Sequence, residues 1–219
     1  MTILTNTVIH ADCLKALPML NNASVNFILT DPPYITRYKS RDGRTVPNDD
    51  NDRWLKPAFA QMYRVLANDS FAVSFYGWPQ ADKFMDAYRK AGFRIVGHLM
   101  FPKRYASSTR FVEYRHESAH LLAKGEPRQP NKPIADVIEW SYTGNRHHPC
   151  QKPLAALLPL VEAFSQSGDT VLDPFAGSGS TLLAAKTLGR RYIGIELNKQ
   201  YHAVAQKRLS QGDIRTKAA

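Results

Sequence analysis

The fold is decided by a stretch near the carboxyl terminus that reads Thr170-Val171-Leu172-Asp173-Pro174-Phe175-Ala176-Gly177-Ser178-Gly179-Ser180-Thr181. Its apolar start predicts a buried strand, its glycines predict a tight turn, and Ser180 begins a segment with helical periodicity. Gly177 and Gly179 let the backbone approach a ligand that a Cβ atom would repel, and the helix start behind them offers free N–H groups. About twenty residues later, Glu196 ends the next predicted strand, where a carboxylate can accept hydrogen bonds from ribose hydroxyls.

Spacing excludes two common nucleotide-binding loops at this position. A dinucleotide fingerprint requires a third glycine where Leu182 stands, and a P-loop requires a Gly-Lys pair, whereas Lys186 lies inside the predicted helix. The stretch therefore predicts a nucleoside-like ligand that is held without phosphate contacts. S-adenosylmethionine has this shape, because it combines a ribose, an adenine and an amino-acid tail. The alternative is a structural βαβ unit with a glycine turn.

A second stretch, Asp31-Pro32-Pro33-Tyr34, follows the apolar run 25–30, which predicts another buried strand. Both prolines fix φ and neither can donate a ladder hydrogen bond, so the chain leaves the sheet stiffly. The Asp31 carboxylate and the Pro32 carbonyl then form a rigid pair of acceptors beside the flat Tyr34 ring. This arrangement suits a planar ligand that carries an NH₂ group. Read alone, the stretch could equally be a proline turn with a capping aspartate.

Strand-length apolar runs alternate with helix-period segments along the chain. The predicted strands are 7–9, 25–30, 70–76, 93–101, 118–123, 170–173 and 192–195, and the predicted helices are 13–20, 54–66, 79–91, 153–165, 180–188 and 199–209. Such alternation predicts an α/β fold with a mostly parallel, twisted sheet and helices on both faces. With 43% hydrophobic and 22% charged residues, residues 1–219 fit a single domain.

The charge balance predicts a polyanionic partner. The formal net charge is +10, and residues 101–132 hold seven Lys or Arg against three acids, interleaved with Tyr105, Phe111 and Tyr114. Basic groups mixed with aromatic rings suit phosphate contact and base stacking. Two cysteines make no disulfide framework, and we recognise neither a signal peptide nor a membrane span, so a cytoplasmic location is expected.

Taken together, the two motifs resemble those of the DNA adenine-N6/cytosine-N4 amino-methyltransferases. The order is that of the β class, with D-P-P-Y first and D-P-F-x-G-x-G last, a circular permutation of the usual methyltransferase order. Three shorter segments extend the resemblance over nearly the whole chain: Ala11-Asp12-Cys13-Leu14 resembles G-D-C-L, His148-Pro149-Cys150-Gln151-Lys152-Pro153 resembles H-P-T-Q-K-P, and Gly194-Ile195-Glu196 resembles the ribose-binding motif. The family's threonine is replaced by Cys150, and its glycine by Ala11.

The resemblance implies a Rossmann-like, S-adenosylmethionine-dependent methyltransferase fold and a role for each matched residue. The implied catalytic residues are Asp31, Pro32, Pro33 and Tyr34, and the implied cofactor-binding residues are Asp12, Lys152, Asp173, Phe175, Gly177, Ser178, Gly179, Ser180 and Glu196. The implied reaction moves a methyl group to an amino group of a base rotated out of double-stranded DNA, with Tyr34 stacked on that base. Asp31 at the head of the motif favours adenine N6 over cytosine N4.

Several alternatives remain open at this point. Relatives that methylate RNA or a protein amide usually carry Asn at the position of Asp31, and a DNA-binding protein could keep a vestigial cofactor fold. His116-Glu117-Ser118-Ala119-His120 matches the zinc-protease motif H-E-x-x-H, but we predict a strand there and no metal site. Trp54, Trp78 and Trp140 are predicted to be packing residues, with stacking or wedging as an alternative for Trp140 in its loop.

Two segments are left to recognise DNA, at about 35–53 and 103–148. So little material predicts a short recognition sequence, assistance from a second subunit in a homodimer, or both. The sequence does not indicate which bases are read, nor whether a partner endonuclease completes a restriction-modification system. A bacterial, phage or mobile-element origin is expected.

Overall fold

The computed structural model describes residues 4–40, 43, 45–109, 111–141 and 150–211. His148 and Pro149 of the predicted cofactor segment lie outside the described residues. So do parts of both segments that were predicted to contact DNA, at 41–42, 44, 110 and 142–148.

One mostly parallel sheet organises the molecule. Its seven strands are β1 (Thr7–His10), β2 (Val25–Thr30), β3 (Leu66–Tyr76), β4 (Arg94–Pro102), β5 (His116–Lys124), β6 (Thr170–Asp173) and β7 (Arg191–Glu196), in the spatial order β1-β7-β6-β2-β3-β5-β4. The neighbours from β1 to β3 pair in parallel, and β5 runs antiparallel to both β3 and β4. The predicted mostly parallel sheet is therefore confirmed.

Helices cover both faces of the sheet, as predicted. They are α1 (Cys13–Ala16), α2 (Leu55–Val65), α3 (Ala81–Ala91), α4 (Leu154–Phe164), α5 (Ser180–Thr187) and α6 (Lys199–Gln211). Buried side chains of α1, α2 and α3 share one core cluster with Ile28, whereas those of α4, α5 and α6 share the other with Phe27 and Leu29. Adjacent residues of β2 thus enter opposite cores, because side chains alternate across a strand. This explains why the centre of β2, at residues 27–29, is apolar at every position.

Proline explains a difference between the predicted and observed ends of two helices. The predicted helix 13–20 ends at Ala16 and continues as a 3₁₀ turn, Leu17–Met19, because Pro18 has no N–H for the helical ladder. Pro79 was predicted at the first helical position, but it lies in the 3₁₀ turn Trp78–Gln80 that precedes α3. In the part of the chain that the structure describes, no helix has the length and apolar character needed to cross a bilayer.

The chain reverses its direction of winding between β6 and β2. From β2 it passes through α2 to β3 on one side, and from β6 it passes through α5 to β7 on the other. In an open α/β sheet, ligands bind outside the carboxyl ends of the strands at such a switch point. The two motifs singled out in the sequence follow these two adjacent strands.

Candidate active site

Both sequence motifs lie at the switch point and are joined by a hydrogen bond. Phe27 and Ile28 of β2 pair with Val171 and Leu172 of β6, so both strands end at the same edge. Thr30, the last residue of β2, donates from its hydroxyl to Asp173 Oδ1 over 3.0 Å, in a buried position. The contact fixes the start of the D-P-P-Y segment relative to the start of the glycine turn.

A cleft at this edge brings the predicted site residues together. Of the thirteen predicted residues, all but Gly179 line it: Asp12, Asp31, Pro32, Pro33, Tyr34, Lys152, Asp173, Phe175, Gly177, Ser178, Ser180 and Glu196. Gly179 supports the turn from behind, because it has φ +79° and a Cβ there would lie 3.0 Å from Ala205 Cβ. Residues from five separate segments of the sequence therefore meet in one cleft. Their roles remain predictions.

Both carboxylate oxygens of Asp31 accept hydrogen bonds from protein side chains. Tyr34 Oη donates to Oδ1 over 2.9 Å, and Lys152 Nζ donates to Oδ2 over 2.5 Å. Burial raises the pKa of Asp31, although the Lys152 charge opposes this shift. Burial by itself would lower the pKa of Lys152, but Asp31 and Glu117 outweigh it and raise the pKa, so the ammonium stays charged.

Tyr34 is held by close packing and is followed by a strained backbone. A Cβ at Gly77, just after β3, would lie 2.8 Å from Tyr34 Cβ, so only glycine allows this approach. Ile35 is buried and has φ +59°, a conformation that a β-branched residue rarely adopts. Strain of this kind persists only where the surroundings enforce it, and it is common at functional sites.

Glu117 and Lys103 belong to this site, although the sequence analysis did not assign them to it. Glu117 Oε2 lies 3.2 Å from Tyr34 Oη, and Lys103 Nζ donates to Glu117 Oε1. Both side chains are largely buried, with 20% and 6% of their surface exposed. The Tyr34 hydroxyl therefore lies between two carboxylates, each of which is paired with a lysine ammonium group. The only sequence signal was a basic, aromatic segment that borders a strand.

Glu117 had instead been noted within H-E-x-x-H, and the structure shows why that motif does not form here. Residues 116–120 lie in β5, as predicted, so Glu117 and His120 point to opposite faces of the sheet. His120 stacks on Tyr76 with ring centroids 4.2 Å apart, and burial lowers the pKa of this histidine to about 4. Among the described residues, no group of three or more His, Cys, Asp or Glu side chains could hold a metal ion.

The glycine turn is held by contacts on both sides. Gly177 donates its N–H to Glu196 Oε2 over 2.7 Å, which ties the turn to the end of β7. From α6, the buried Arg208 Nη1 donates to the Ser178 carbonyl over 2.6 Å and to the hydroxyls of Ser178 and Ser180. Arg208 was not predicted from sequence. It lies in α6, 30 positions after Ser178, and no sequence motif links the two residues.

Three carboxylates line the part of the cleft that is predicted to bind the cofactor. Asp12 caps α1 through a 2.9 Å bond from the Leu14 N–H, and Glu196 accepts the N–H groups of Gly177 and Asn198. Burial raises the pKa of Glu196 and raises that of Asp173 to about 7. Asp173 therefore takes up a proton more readily than an ordinary aspartate, and a nearby cation would favour its ionised form.

The segment before α2 forms one wall of the cleft. The buried Asp49 accepts the Tyr38 N–H over 2.6 Å and the Thr36 hydroxyl over 3.3 Å, both through Oδ2. Trp54 holds the end of this segment by donating to the carbonyls of Asn48 and Asn51, each over 3.0 Å. Residues of the predicted DNA-contacting segment 35–53, among them Thr36, Tyr38 and Asp49, thus line the cleft.

The three tryptophans do not share one role. Trp54 and Trp140 are buried, with 4% and 8% of their surface exposed, as expected of packing residues. Trp78 is 61% exposed, so its assignment to packing is wrong. Its ring stacks on Tyr114, with centroids 6.0 Å apart and planes within 18°. Trp78 follows Gly77 and therefore lies beside the wall that supports Tyr34.

Cys150 lines the cleft at the position where the resembling family has threonine. Burial raises the pKa of its thiol to about 12. The group is therefore a neutral, weakly polar part of the wall near Lys152, and not a thiolate nucleophile.

Comparisons with known proteins agree with this geometry. A family model described as DNA methylase matches residues 25–207. YubD of Escherichia coli (strain K12), named as a candidate methylase, is 54% identical over 202 residues, covering 92% of this chain and 89% of YubD. YhdJ of the same strain, named as a DNA adenine methyltransferase, is 29% identical over 243 residues, covering 93% and 82%.

Solved structures show the same architecture. The M1.HpyAVI–SAM complex superposes with a TM-score of 0.74 at 26% identity, covering 93% of this chain and 98% of that one. The cytosine-N4-specific PvuII DNA methyltransferase gives a TM-score of 0.75 at 15% identity, covering 97% and 95%, which shows the fold alone. The predicted Rossmann-like methyltransferase fold is confirmed.

Proposed function

This chain belongs to the DNA methylase family, and on that premise we propose that it methylates the N6 amino group of adenine in double-stranded DNA. The methyl donor is S-adenosylmethionine, on which this family depends. The observation that carries the proposal is the adjacency of the Asp31 acceptor to the glycine turn, joined through Thr30 and Asp173.

The chemistry requires acceptors for the two amino hydrogens. An exocyclic amine is a poor nucleophile because its lone pair is delocalised into the ring. The Asp31 carboxylate and the Pro32 carbonyl, both at the cleft, accept those hydrogens and favour a pyramidal nitrogen that can meet the sulfonium methyl in line. Catalysis then comes from positioning and electrostatics, and Asp31 needs to take a proton only as the new bond forms.

The cofactor lies along the edge formed by β6, β7 and β1. Glu196 binds the ribose hydroxyls, since each of its oxygens accepts one backbone N–H and retains a lone pair. Asp12 approaches the adenine, and the turn at Gly177 and Ser178 approaches the amino-acid tail. Asp173 contributes negative charge beside the cationic donor.

Duplex DNA contacts the edge where the target base enters. Between β4 and β5 the backbone continues as a hairpin, in which the Lys103 N–H bonds to Arg115 and the Ser107 N–H bonds to Tyr114. The major groove of DNA admits a two-stranded ribbon of this kind. Phe111 near its tip is fully exposed, and Arg104 is 91% exposed, so the hairpin offers both an apolar tip and phosphate contacts. A base inside a duplex is unreachable, so the target rotates out and stacks on Tyr34.

Adenine is favoured over cytosine by Asp31 at the head of the motif and by the likeness to YhdJ. The second candidate is cytosine N4, which the same acceptors could hold. A rival of a different class is a DNA-binding protein that has lost catalysis. The buried ion pairs around Tyr34 argue against this rival, because charges without a task are costly to keep buried.

The proposal is tested by expressing the chain in cells that lack DNA methylation and mapping modified bases across the genome. We expect N6-methyladenine at one short recurring sequence and none in cells that express Asp31→Ala. N4-methylcytosine at such a sequence would favour the second candidate. Unmodified DNA, despite soluble protein that binds S-adenosylmethionine, would contradict the proposal.

A further inference from the structure

The Tyr34 hydroxyl lies between two carboxylates. Its oxygen is 2.9 Å from Asp31 Oδ1 and 3.2 Å from Glu117 Oε2. A phenol carries a single proton, so it can donate one full hydrogen bond at a time. Rotation about the C–O bond moves that proton from one acceptor to the other without displacing the ring.

The position of this proton matters because each Asp31 oxygen already accepts one hydrogen bond, so a substrate amino group meets a weakened acceptor. Lys152 donates to Oδ2 and Tyr34 donates to Oδ1. Each donated bond draws charge from the carboxylate and weakens it as an acceptor for a substrate amino group. The Lys152 bond is part of a buried ion pair, so the Tyr34 bond is the one that can be exchanged without leaving a charge unpaired.

Glu117 is built to take over the proton. Burial by itself raises the pKa of Glu117, but the charges of Lys152 and Lys103 outweigh it and lower the pKa, so an ionised acceptor faces Tyr34. Lys103 also donates to the Ser107 hydroxyl over 2.8 Å, and it lies 5.3 Å from the Trp140 ring centroid. These contacts hold Lys103 on Glu117 Oε1 and leave Oε2 directed at Tyr34.

We infer that Glu117, fixed by Lys103, is a positioning residue that accepts the hydrogen bond of the Tyr34 hydroxyl when the target amino group binds Asp31. No covalent bond forms or breaks in this step, because the hydroxyl rotates and one hydrogen bond replaces another. Glu117 thereby restores the acceptor strength of Asp31 Oδ1 when the substrate amino group binds. The inference rests on the proposed function and adds two residues to it.

Glu117→Gln is the first test, with methyl transfer to duplex DNA measured in a single turnover. The neutral amide holds the proton less well, so Tyr34 stays on Asp31 and we expect the rate to fall about tenfold, the worth of one net hydrogen bond. The affinity for S-adenosylmethionine should stay within about twofold of the wild-type value, because Glu117 is not among the predicted cofactor-binding residues. Glu162→Gln, which changes an exposed glutamate of α4, is the matched control.

The deciding measurement adds Tyr34→Phe to Glu117→Gln. This double variant keeps the ring but has no hydroxyl left to occupy Asp31, so we expect it to transfer methyl groups several-fold faster than Glu117→Gln alone. A double variant as slow as Glu117→Gln, or slower, would overturn the relay. If Glu117 were merely structural, removing the Tyr34 hydroxyl would not raise the rate of Glu117→Gln.

Should Glu117→Gln fail to fold, Lys103→Gln is the substitute. Without the lysine charge the pKa of Glu117 rises, so the acid limb of the rate profile should move to higher pH, and Tyr34→Phe should remove that displacement. An unmoved acid limb would overturn the relay.

Two outcomes separate the relay from the proposed function. A wild-type chain that binds S-adenosylmethionine but transfers no methyl group overturns both. An active wild type, in which Tyr34→Phe does not restore the rate of Glu117→Gln, overturns the relay alone.

Discussion

Lys152 Nζ lies 2.5 Å from Asp31 Oδ2, although the two residues are 121 positions apart in the sequence. The pair joins the segment after β2 to the segment before α4, and only 7% and 20% of the two side chains is exposed. The residue predicted to lie beside the cofactor is therefore also the counter-ion of the predicted catalytic carboxylate. The residue predicted to bind the cofactor and the residue predicted to bind the base therefore belong to one ion pair.

Lys152→Met should destabilise the protein and change the pH dependence of its activity. The substitution leaves Asp31 buried without its partner, for which we expect the free energy of unfolding to fall by about 3 kcal/mol. The Lys152 charge lowers the pKa of Asp31, so its loss moves the acid limb of the rate profile to higher pH, because the Asp31 carboxylate accepts its share of the amino hydrogens only when it is ionised. Urea unfolding and methyl transfer at several pH values measure the two effects.

The matched control is Lys152→Met combined with Asp31→Asn, which removes both charges. This variant should regain most of the lost stability while remaining inactive. Equal stability of the single variant and the wild type would contradict the role assigned to the pair.

S-adenosylmethionine should bind more tightly as the pH rises through 7. Burial raises the pKa of Asp173 to about 7, so the ionised form that attracts the cationic donor predominates only above that value. Between pH 6 and pH 8 the dissociation constant should fall about tenfold. Calorimetry at the two pH values measures this, and Asp173→Asn should flatten the dependence. If the dissociation constant of Asp173→Asn still depends on pH to the same extent, a group other than Asp173 causes the dependence.

Arg208→Met should weaken cofactor binding more than it weakens the fold. Arg208 holds Ser178 and Ser180 by donating to one carbonyl and two hydroxyls, and hydrogen bonds from a charged group are worth about 1.5–3 kcal/mol. We expect the S-adenosylmethionine dissociation constant to rise about tenfold or more, measured by calorimetry.

Arg190→Met is the control for that comparison. Arg190 also donates to carbonyl oxygens, those of Leu188 and Ser165, but it lies away from the cleft. The Arg190→Met substitution should lower the melting temperature while leaving the S-adenosylmethionine dissociation constant within about twofold of the wild-type value. Equal effects of the two substitutions on cofactor affinity would refute the role given to Arg208.

Trp78→Ala should weaken duplex binding without affecting the cofactor. Its exposed ring, stacked on Tyr114 at the edge where DNA is proposed to bind, suits contact with a base, and such stacking is worth about 1–3 kcal/mol. We expect a DNA dissociation constant raised by about tenfold or more with an unchanged salt slope, since no phosphate contact is lost. Fluorescence anisotropy across a salt series measures both, with Val96→Ala, another exposed apolar residue, as control.

Sequence reasoning succeeded where the signal is local. The strands 25–30 and 170–173 were predicted with the bounds that the structure gives, because each has an apolar centre and ends at a proline-containing turn. The cleft followed from the rule that parallel strands end at one edge. Pro18 shows a local signal that was overlooked, since it ends α1 four residues early.

Long-range pairings could not be predicted in the same way. Glu117 reaches Tyr34 across 83 positions, and its strand neighbours suggested a zinc motif. Arg208 and Lys103 carry no motif at all, because their roles depend on which side chains the completed fold places opposite them. Trp78 looked like a packing residue by type, whereas its exposure depends on the short turn that precedes α3.

The central claim is most directly tested by supplying S-adenosylmethionine with a labelled methyl group to the purified chain and duplex DNA, then separating the nucleosides. The account predicts label in N6-methyl-2′-deoxyadenosine with the wild type, and none with Asp31→Ala, a variant that still binds the cofactor. Label transfer by Asp31→Ala at the wild-type rate would contradict it.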